Sequence, residues 1–209
     1  MTVKLFYAPG SCALAAHIAL EEAGADYEAV RISLKDGDQH KPGFLAVNPK
    51  GRVPALVVPG RGVLTENPVI LGYVAQTHPA ARLAPNEDSF AFGDMQAFNL
   101  FLCATVHPAF AHATRPYRYA DGEDAHAAMK AKAPVALAEH FSLIEERFSD
   151  GRRFTHGDDY WVSDSYLFVF ACWLERRYPE VAARFPKTIS HRRRVEERPA
   201  VARVLACES

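Results

Sequence analysis

The chain has little of what marks membrane insertion, polyanion binding or a disulfide scaffold. Its longest unbroken apolar run, Tyr166 to Leu174, is nine residues, whereas a membrane-spanning helix needs about 20. No membrane partner is expected. The 24 Lys and Arg residues nearly balance the 25 Asp and Glu, for a formal net charge of −1. No excess of basic charge is there to attract nucleic acid or an anionic surface. The one basic run, Arg192-Arg193-Arg194, is followed by Glu196 and Glu197 and reads as a solvated helix face. Cysteines number four, Cys12, Cys103, Cys172 and Cys207, with no CxxC pair and no Cys/His cluster at zinc spacing. That removes a dithiol redox motif and a zinc ribbon, and no metal is expected. His107 and His112 are five apart and do not share a helix face as an i,i+4 zinc pair would. The opening MTVKLFYAPG shows no apolar signal segment, so free thiols in a reducing cytoplasm are expected.

What remains is an ordinary globular composition, 49% apolar over 209 residues, in two halves of different grammar. The first alternates strand and helix signals. Val3 to Tyr7 is a β-rich run stopped by Pro9-Gly10. Cys12 to Ala23 then reads as a helix with Leu14, Ile18 and alanines on its apolar face and Gly24 as its stop. Tyr27 to Leu34 is a second strand, and an irregular or helical crossover leads to the turn Asn48-Pro49-Lys50-Gly51. Val53 to Val58 is a third strand, Val63-Leu64 a fourth, and Glu66-Asn67-Pro68 opens a helix to about Thr77. Pro54 at a strand start fits a residue that cannot donate to a ladder. His78 to Glu87 reads as a linker. Beyond Ser89 the patterns are helical: Ser89 to about His112, Asp124 to Phe148, Ser163 to Arg177, and Ile189 to about Leu205. Pro108 and Pro134 are expected to kink or break their helices. The expected architecture is a small α/β domain, residues 1–78, a linker, 79–88, and an all-helical domain, 89–209.

Cys12 is the sharpest chemical feature. In the strand-to-helix turn after Pro9-Gly10-Ser11 it is expected in the first helical turn, where orphan amides and the helix dipole lower a thiol pKa. A buried, inert cysteine is the plainer alternative, and it is the better reading for the other three. Glu66 and Asn67 open a helix directly after a strand. Its amides suit a carboxylate and Glu66 an ammonium, although an ordinary cap explains the same residues. Val53-Pro54 leaves a backbone edge that an extended peptide can pair with. A lone helical histidine such as His107 is more often packed than catalytic.

Taken together, these motifs resemble a bacterial glutathione transferase of the cysteine-containing beta class. The likeness rests on Lys4 to Cys12, on Phe44 to Leu56, on Leu64-Thr65-Glu66 before an apolar helix, on Val162, Asp164 and Tyr166-Leu167-Phe168, and on Arg198 to Val201. The resemblance implies a thioredoxin-like N-terminal domain, an all-α C-terminal helical bundle and a homodimer. It implies glutathione as co-substrate and a small electrophile as the second substrate. Cys12 is then expected at the glutathione sulfur with His107 nearby. Ser11, Lys35, Val53 and the cis-Pro54 are expected along the tripeptide, Glu66 and Asn67 at its γ-glutamyl end, and Phe110, Tyr166 and Trp173 around the electrophile. The implied reaction is conjugation, with detoxification as its use. Peroxide or thiol–disulfide chemistry through a Cys12 mixed disulfide, and a non-catalytic binding module, are the alternatives. The chain departs from the family pattern at Pro108, where Lys is common, and at Asn67, where a small residue is common. An asparagine of the family falls on Leu100, one place from Asn99. Trp161 stands where a Ser or Thr would cap a helix, so the cap is expected to be rebuilt by Asp159 or Ser163.

Overall fold

A computed structural model describes residues 2–208 of the protein. Four strands, β1 (Val3–Tyr7), β2 (Tyr27–Arg31), β3 (Ala55–Val58) and β4 (Gly62–Thr65), form one sheet in the order β2-β1-β3-β4. β1 and β2 are parallel and joined through helix α1 (Leu14–Glu22); β3 is antiparallel to both β1 and β4. The crossover from β2 to β3 is helical in pieces, a 3-10 turn at Asp38–His40 and the short α2 (Pro42–Leu45). Gly51 in the turn before β3 has φ +61, and a Cβ there would lie 3.0 Å from the His40 ring. Only glycine meets both demands without strain. The Val53–Pro54 peptide is cis, and Pro54 is buried just ahead of β3. Helix α3 (Asn67–Thr77) returns across the sheet.

The remaining helices are α4 (Ser89–Phe101), α5 (His107–Thr114), α6 (Glu123–Arg147), α7 (Val162–Arg177), α8 (Pro179–Ala182), α9 (Pro186–Glu196) and α10 (Pro199–Glu208). The pattern read as one helix from Ser89 to His112 is α4 and α5 joined by a π segment, Leu102–Val106, which absorbs Pro108 at the second position of α5. Pro134, in contrast, neither breaks nor ends α6, which runs 25 residues through it. The carbonyl it orphans belongs to the exposed Lys130, where solvent can satisfy it. The stretch Ile189 to Leu205, expected as one helix, is α9 and α10. Arg198 precedes Pro199, and a residue before proline is pushed out of the α region.

The core is continuous from sheet to bundle. Leu5, Ile18 and Leu56 belong to the same buried cluster as Phe110, Phe141 and Phe168. α7, buried along most of its length, packs against α1. The stretch read as a linker is docked: Leu83 and Ala84 are buried, and the Leu83 carbonyl accepts from Val162 N at 2.9 Å. The cap of α7 is rebuilt by neither Asp159 nor Ser163. Asp164 does it, its Oδ2 accepting from Trp161 N at 2.8 Å while its own amide donates to the Trp161 carbonyl at 2.9 Å. Among the described residues no helix is long and apolar enough to cross a membrane.

Candidate active site

Three segments far apart in sequence converge on the turn between β1 and α1. Cys12 lies in that turn, two residues before α1, not in its first helical turn as expected. Backbone bonds from Leu14 N to the Ser11 carbonyl and from Ala15 N to the Cys12 carbonyl hold the turn, and the Ser11 hydroxyl accepts from Ala13 N at 3.2 Å. The Cys12 thiol donates to the Val53 carbonyl at 3.6 Å, beside the cis peptide. From below, the buried Asn67 side chain donates from Nδ2 to the Cys12 carbonyl at 3.0 Å. Asn67 is therefore no cap: it is the first residue of α3, with Glu66 in the capping position.

The electrostatics of Cys12 reverse the expectation drawn from the helix dipole. Burial pushes its thiol up to about 12, against the opposing pull of the Arg115 guanidinium. Cys12 precedes the helix, so the dipole does little, while desolvation penalises a thiolate. Burial likewise pulls His107 down to about 4, with Arg115 the next contributor. His107 packs its ring 5.6 Å from Phe170 and 5.4 Å from Trp173, and its imidazole is neutral near pH 7. Trp173 then donates from Nε1 to the Gly10 carbonyl at 3.1 Å, joining this aromatic group to the thiol turn.

Glu66 carries φ +69 without being glycine. Such strain, where it persists, clusters at functional sites. Its half-exposed carboxylate meets Lys50, whose Nζ lies 2.7 Å from Glu66 Oε1 and 2.8 Å from Thr65 Oγ1. The Val69 and Ile70 amides turn back to the Glu66 carbonyl at 3.1 and 3.0 Å. Asn48 fixes the approach to Val53, donating from Nδ2 to the Arg52 carbonyl at 2.6 Å.

Not every expected residue joins this group. Lys35 stands on the exposed turn after β2, with no hydrogen bond or ion pair tying it to the others among the described residues. Phe110 and Tyr166 are 2% and 1% exposed, so they are core and not open walls. Phe110 is held 6.1 Å from Phe170 and 5.5 Å from Trp173. Tyr166 packs its ring 5.0 Å from Phe170. Only Trp173 of the three keeps an open face. Sequence reasoning missed Arg115, Lys50 as the partner of Glu66, and Glu208, whose Oε2 accepts from Gly10 N at 3.3 Å. None has a local signal, because each acts across a long chain separation.

The βαβ–ββα sheet, the cis-proline edge facing a thiol and the attached helical bundle define a thioredoxin-like fold with an all-helical extension. Residues 1–76 match the family model of the glutathione S-transferase N-terminal domain. The chain is 32% identical to the glutathione S-transferase GstA of Escherichia coli O157:H7, over 82% of each chain. Among solved structures it is similar to a glutathione transferase homologue from Sulfitobacter with bound glutathione, at 35% identity and TM-score 0.92, covering 99% of this chain and 98% of that one. It is also similar to the bacterial beta-class enzyme of Sphingomonas chungbukensis, at 34% identity and TM-score 0.85, with 99% and 98% covered. The chain belongs to the glutathione S-transferase family.

Proposed function

We propose that the protein binds reduced glutathione along the Val53–Pro54 edge and joins its sulfur to an electrophilic small molecule. The observation that carries this is the Cys12 thiol donating to the Val53 carbonyl at 3.6 Å, with Asn67 holding the same turn at 3.0 Å. An extended tripeptide can pair with the backbone of Val53 as an added strand does. Its γ-glutamyl end then reaches the start of α3, where the Asn67 amide suits its carboxylate and Glu66 its ammonium. On this reading residues 1–78 bind glutathione and residues 89–209 supply the electrophile side.

The raised Cys12 pKa favours one role. A protonated thiol can donate a hydrogen bond to a glutathione thiolate, whereas mixed-disulfide chemistry needs Cys12 itself as thiolate. In the proposed step the glutathione thiol gives its proton to solvent, and its sulfur forms the bond to the electrophilic carbon. The leaving group departs with the electron pair of the broken bond. Rate comes from proximity and from donors aimed at the sulfur.

We further propose a homodimer. Val69, Phe90 and Leu100, on and beside the packed pair α3 and α4, are 49, 85 and 54% exposed, and a second copy would cover them. The reducing cytoplasm, where Cys12 keeps its thiol, is the proposed compartment, and detoxification the proposed use. The test is thermal unfolding with and without reduced glutathione, followed by conjugation of chlorodinitrobenzene. A ligand at 100 times its Kd stabilises by about 2.7 kcal/mol, a shift of a few degrees. No shift at millimolar glutathione, together with no conjugation, removes the proposal.

A further inference from the structure

Arg115 closes α5 two turns beyond His107, the first residue of that helix. Its amide donates to the Ala111 carbonyl at 2.7 Å and buried Pro116 follows it, so the backbone that carries the guanidinium is fixed. The other end of α5 is fastened to the thiol turn, since the His107 ring packs on Trp173 and Trp173 holds Gly10. His107 and Arg115 thus stand at the two ends of one short helix, about 80° apart around its axis. The charge of Arg115 is felt at both Cys12 and His107, which agrees with that placement.

What distinguishes this arginine is the company it keeps. Most other partly enclosed arginines meet a carboxylate, Arg147 with Asp94, Arg192 with Glu175 and Glu196, Arg198 with Glu22, and Arg194 meets the Arg153 carbonyl. Arg115 is half-buried, and the groups whose charge bears most on it are Arg118, Cys12, Tyr117 and Tyr119, none a carboxylate. Tyr117 and Tyr119 are 64 and 48% exposed, and Tyr119 is held to α5 by the His112 ring at 4.5 Å. The end of α5 thus carries a cation whose charge partners include no carboxylate, followed by two exposed aromatic rings.

We propose that Arg115 is a specificity-determining residue, selecting electrophiles that carry a carboxylate on the aromatic or conjugated system containing the reacting carbon. This rests on the glutathione-transfer reading above and deepens it. A guanidinium matches a carboxylate with two parallel hydrogen bonds, and the tyrosine faces take the attached ring. With a chloroaromatic acid the glutathione sulfur bonds to the ring carbon and the carbon–chlorine bond breaks. Chloride leaves with the electron pair and the thiol proton goes to water. Arg115 binds the carboxylate and exchanges no electrons.

The experiment compares kcat/KM for chlorodinitrobenzoate and for neutral chlorodinitrobenzene in the wild-type protein, Arg115→Gln and Arg115→Lys. The expected result is a fall of about tenfold or more in the benzoate-to-benzene ratio for Arg115→Gln, with partial recovery in Arg115→Lys. An unchanged ratio overturns the proposal. So does an equal loss on both electrophiles, which assigns Arg115 to the sulfur, and so does a rise in KM for glutathione with both, which assigns it to the tripeptide. If the wild-type protein conjugates neither, the glutathione-transfer reading itself fails and this inference with it. Should Arg115→Gln not fold, quenching of Trp173 fluorescence in a Trp161→Phe background by nitrobenzoate and by nitrobenzene reads the same preference, and equal affinities overturn it.

Discussion

Glu208, near the end of α10, places its Oε1 2.8 Å from His17 Nδ1 on α1, with both side chains almost wholly enclosed. The other carboxylate oxygen accepts from the Gly10 amide, while Trp173 donates to the Gly10 carbonyl from the opposite side. His17 is itself boxed by Tyr7 at 4.9 Å and Tyr27 at 5.6 Å. The turn that presents Cys12 is thus gripped by two helices from the far half of the chain. Removing one partner of an enclosed charged hydrogen bond leaves the other unsatisfied, at a cost of about 3 kcal/mol. Glu208→Ala should lose about that much in urea unfolding and should also slow conjugation. Glu208→Gln keeps an oxygen for Gly10 and an amide for His17, so it should retain most of both. Equal losses in the two variants would show that the charge matters and the hydrogen bonds do not.

The Cys12 thiol gives a prediction about reactivity. With its pKa pushed up to about 12 by burial, almost none is thiolate near neutral pH in the ligand-free protein. Iodoacetamide at pH 7.5 should therefore modify the exposed Cys207 well before Cys12, as peptide mapping by mass spectrometry will report. The linkage runs the same way. A thiol whose folded pKa lies above its unfolded value stabilises below about pH 9, and that contribution is lost as pH rises. Faster labelling at Cys12 than at Cys207 would contradict the arrangement around Val53.

Acid stability follows from two histidines. His107 and His156 are both held down to about 4, chiefly by burial. For a histidine whose folded pKa is depressed, the unfolded chain takes up the proton first. The stabilisation is complete above about 6.5 and is lost as pH falls from there toward 4. Each group should cost the fold about 1 kcal/mol between pH 6.5 and 5.5. Denaturant unfolding across that range should show stability falling with acid, and His107→Gln should flatten the slope by about half. A slope the variant leaves unchanged would mean that other groups carry it.

Much of this arrangement is legible in the chain and some of it is not, for physical reasons. Strand and helix order follow from local signals: Pro9-Gly10 ends β1, Gly24 ends α1, and Asn48 to Gly51 sets the turn before β3. The start of α1 is two residues late because Ser11, Cys12 and Ala13 satisfy their backbone groups as turns, which a periodicity of apolar residues does not reveal. Pro134 does not end α6, because the packing of a 25-residue helix outweighs one lost hydrogen bond. Cys12, Val53 and Asn67 are recognisable as types, yet the sign of the thiol shift depends on how many other residues bury it. Arg115 and Glu208 are illegible, since their importance lies in partners reached only after the helices pack.

Asp164 joins three separate segments of the fold through one carboxylate. It has no exposure, and Oδ1 accepts from Thr155 N and from His191 Nε2, each at 2.8 Å. Oδ2 takes the Trp161 amide. Three donors from the loop before α7, from its capping position and from α9 therefore converge on one group. Aspartate supplies enough lone pairs for all three, whereas asparagine offers acceptors on one oxygen only. Asp164→Asn should strand at least one buried donor and cost about 1–3 kcal/mol. Asp164→Ala strands all three, releases the α7 cap and should cost about 3–5 kcal/mol, much of the stability of a fold this size. Guanidinium unfolding of the two variants gives the order directly. Because α7 also carries Trp173 to Gly10, the alanine variant should lose its glutathione-dependent thermal shift as well as stability. Retention of that shift at a temperature where the variant stays folded would separate the cap from the site.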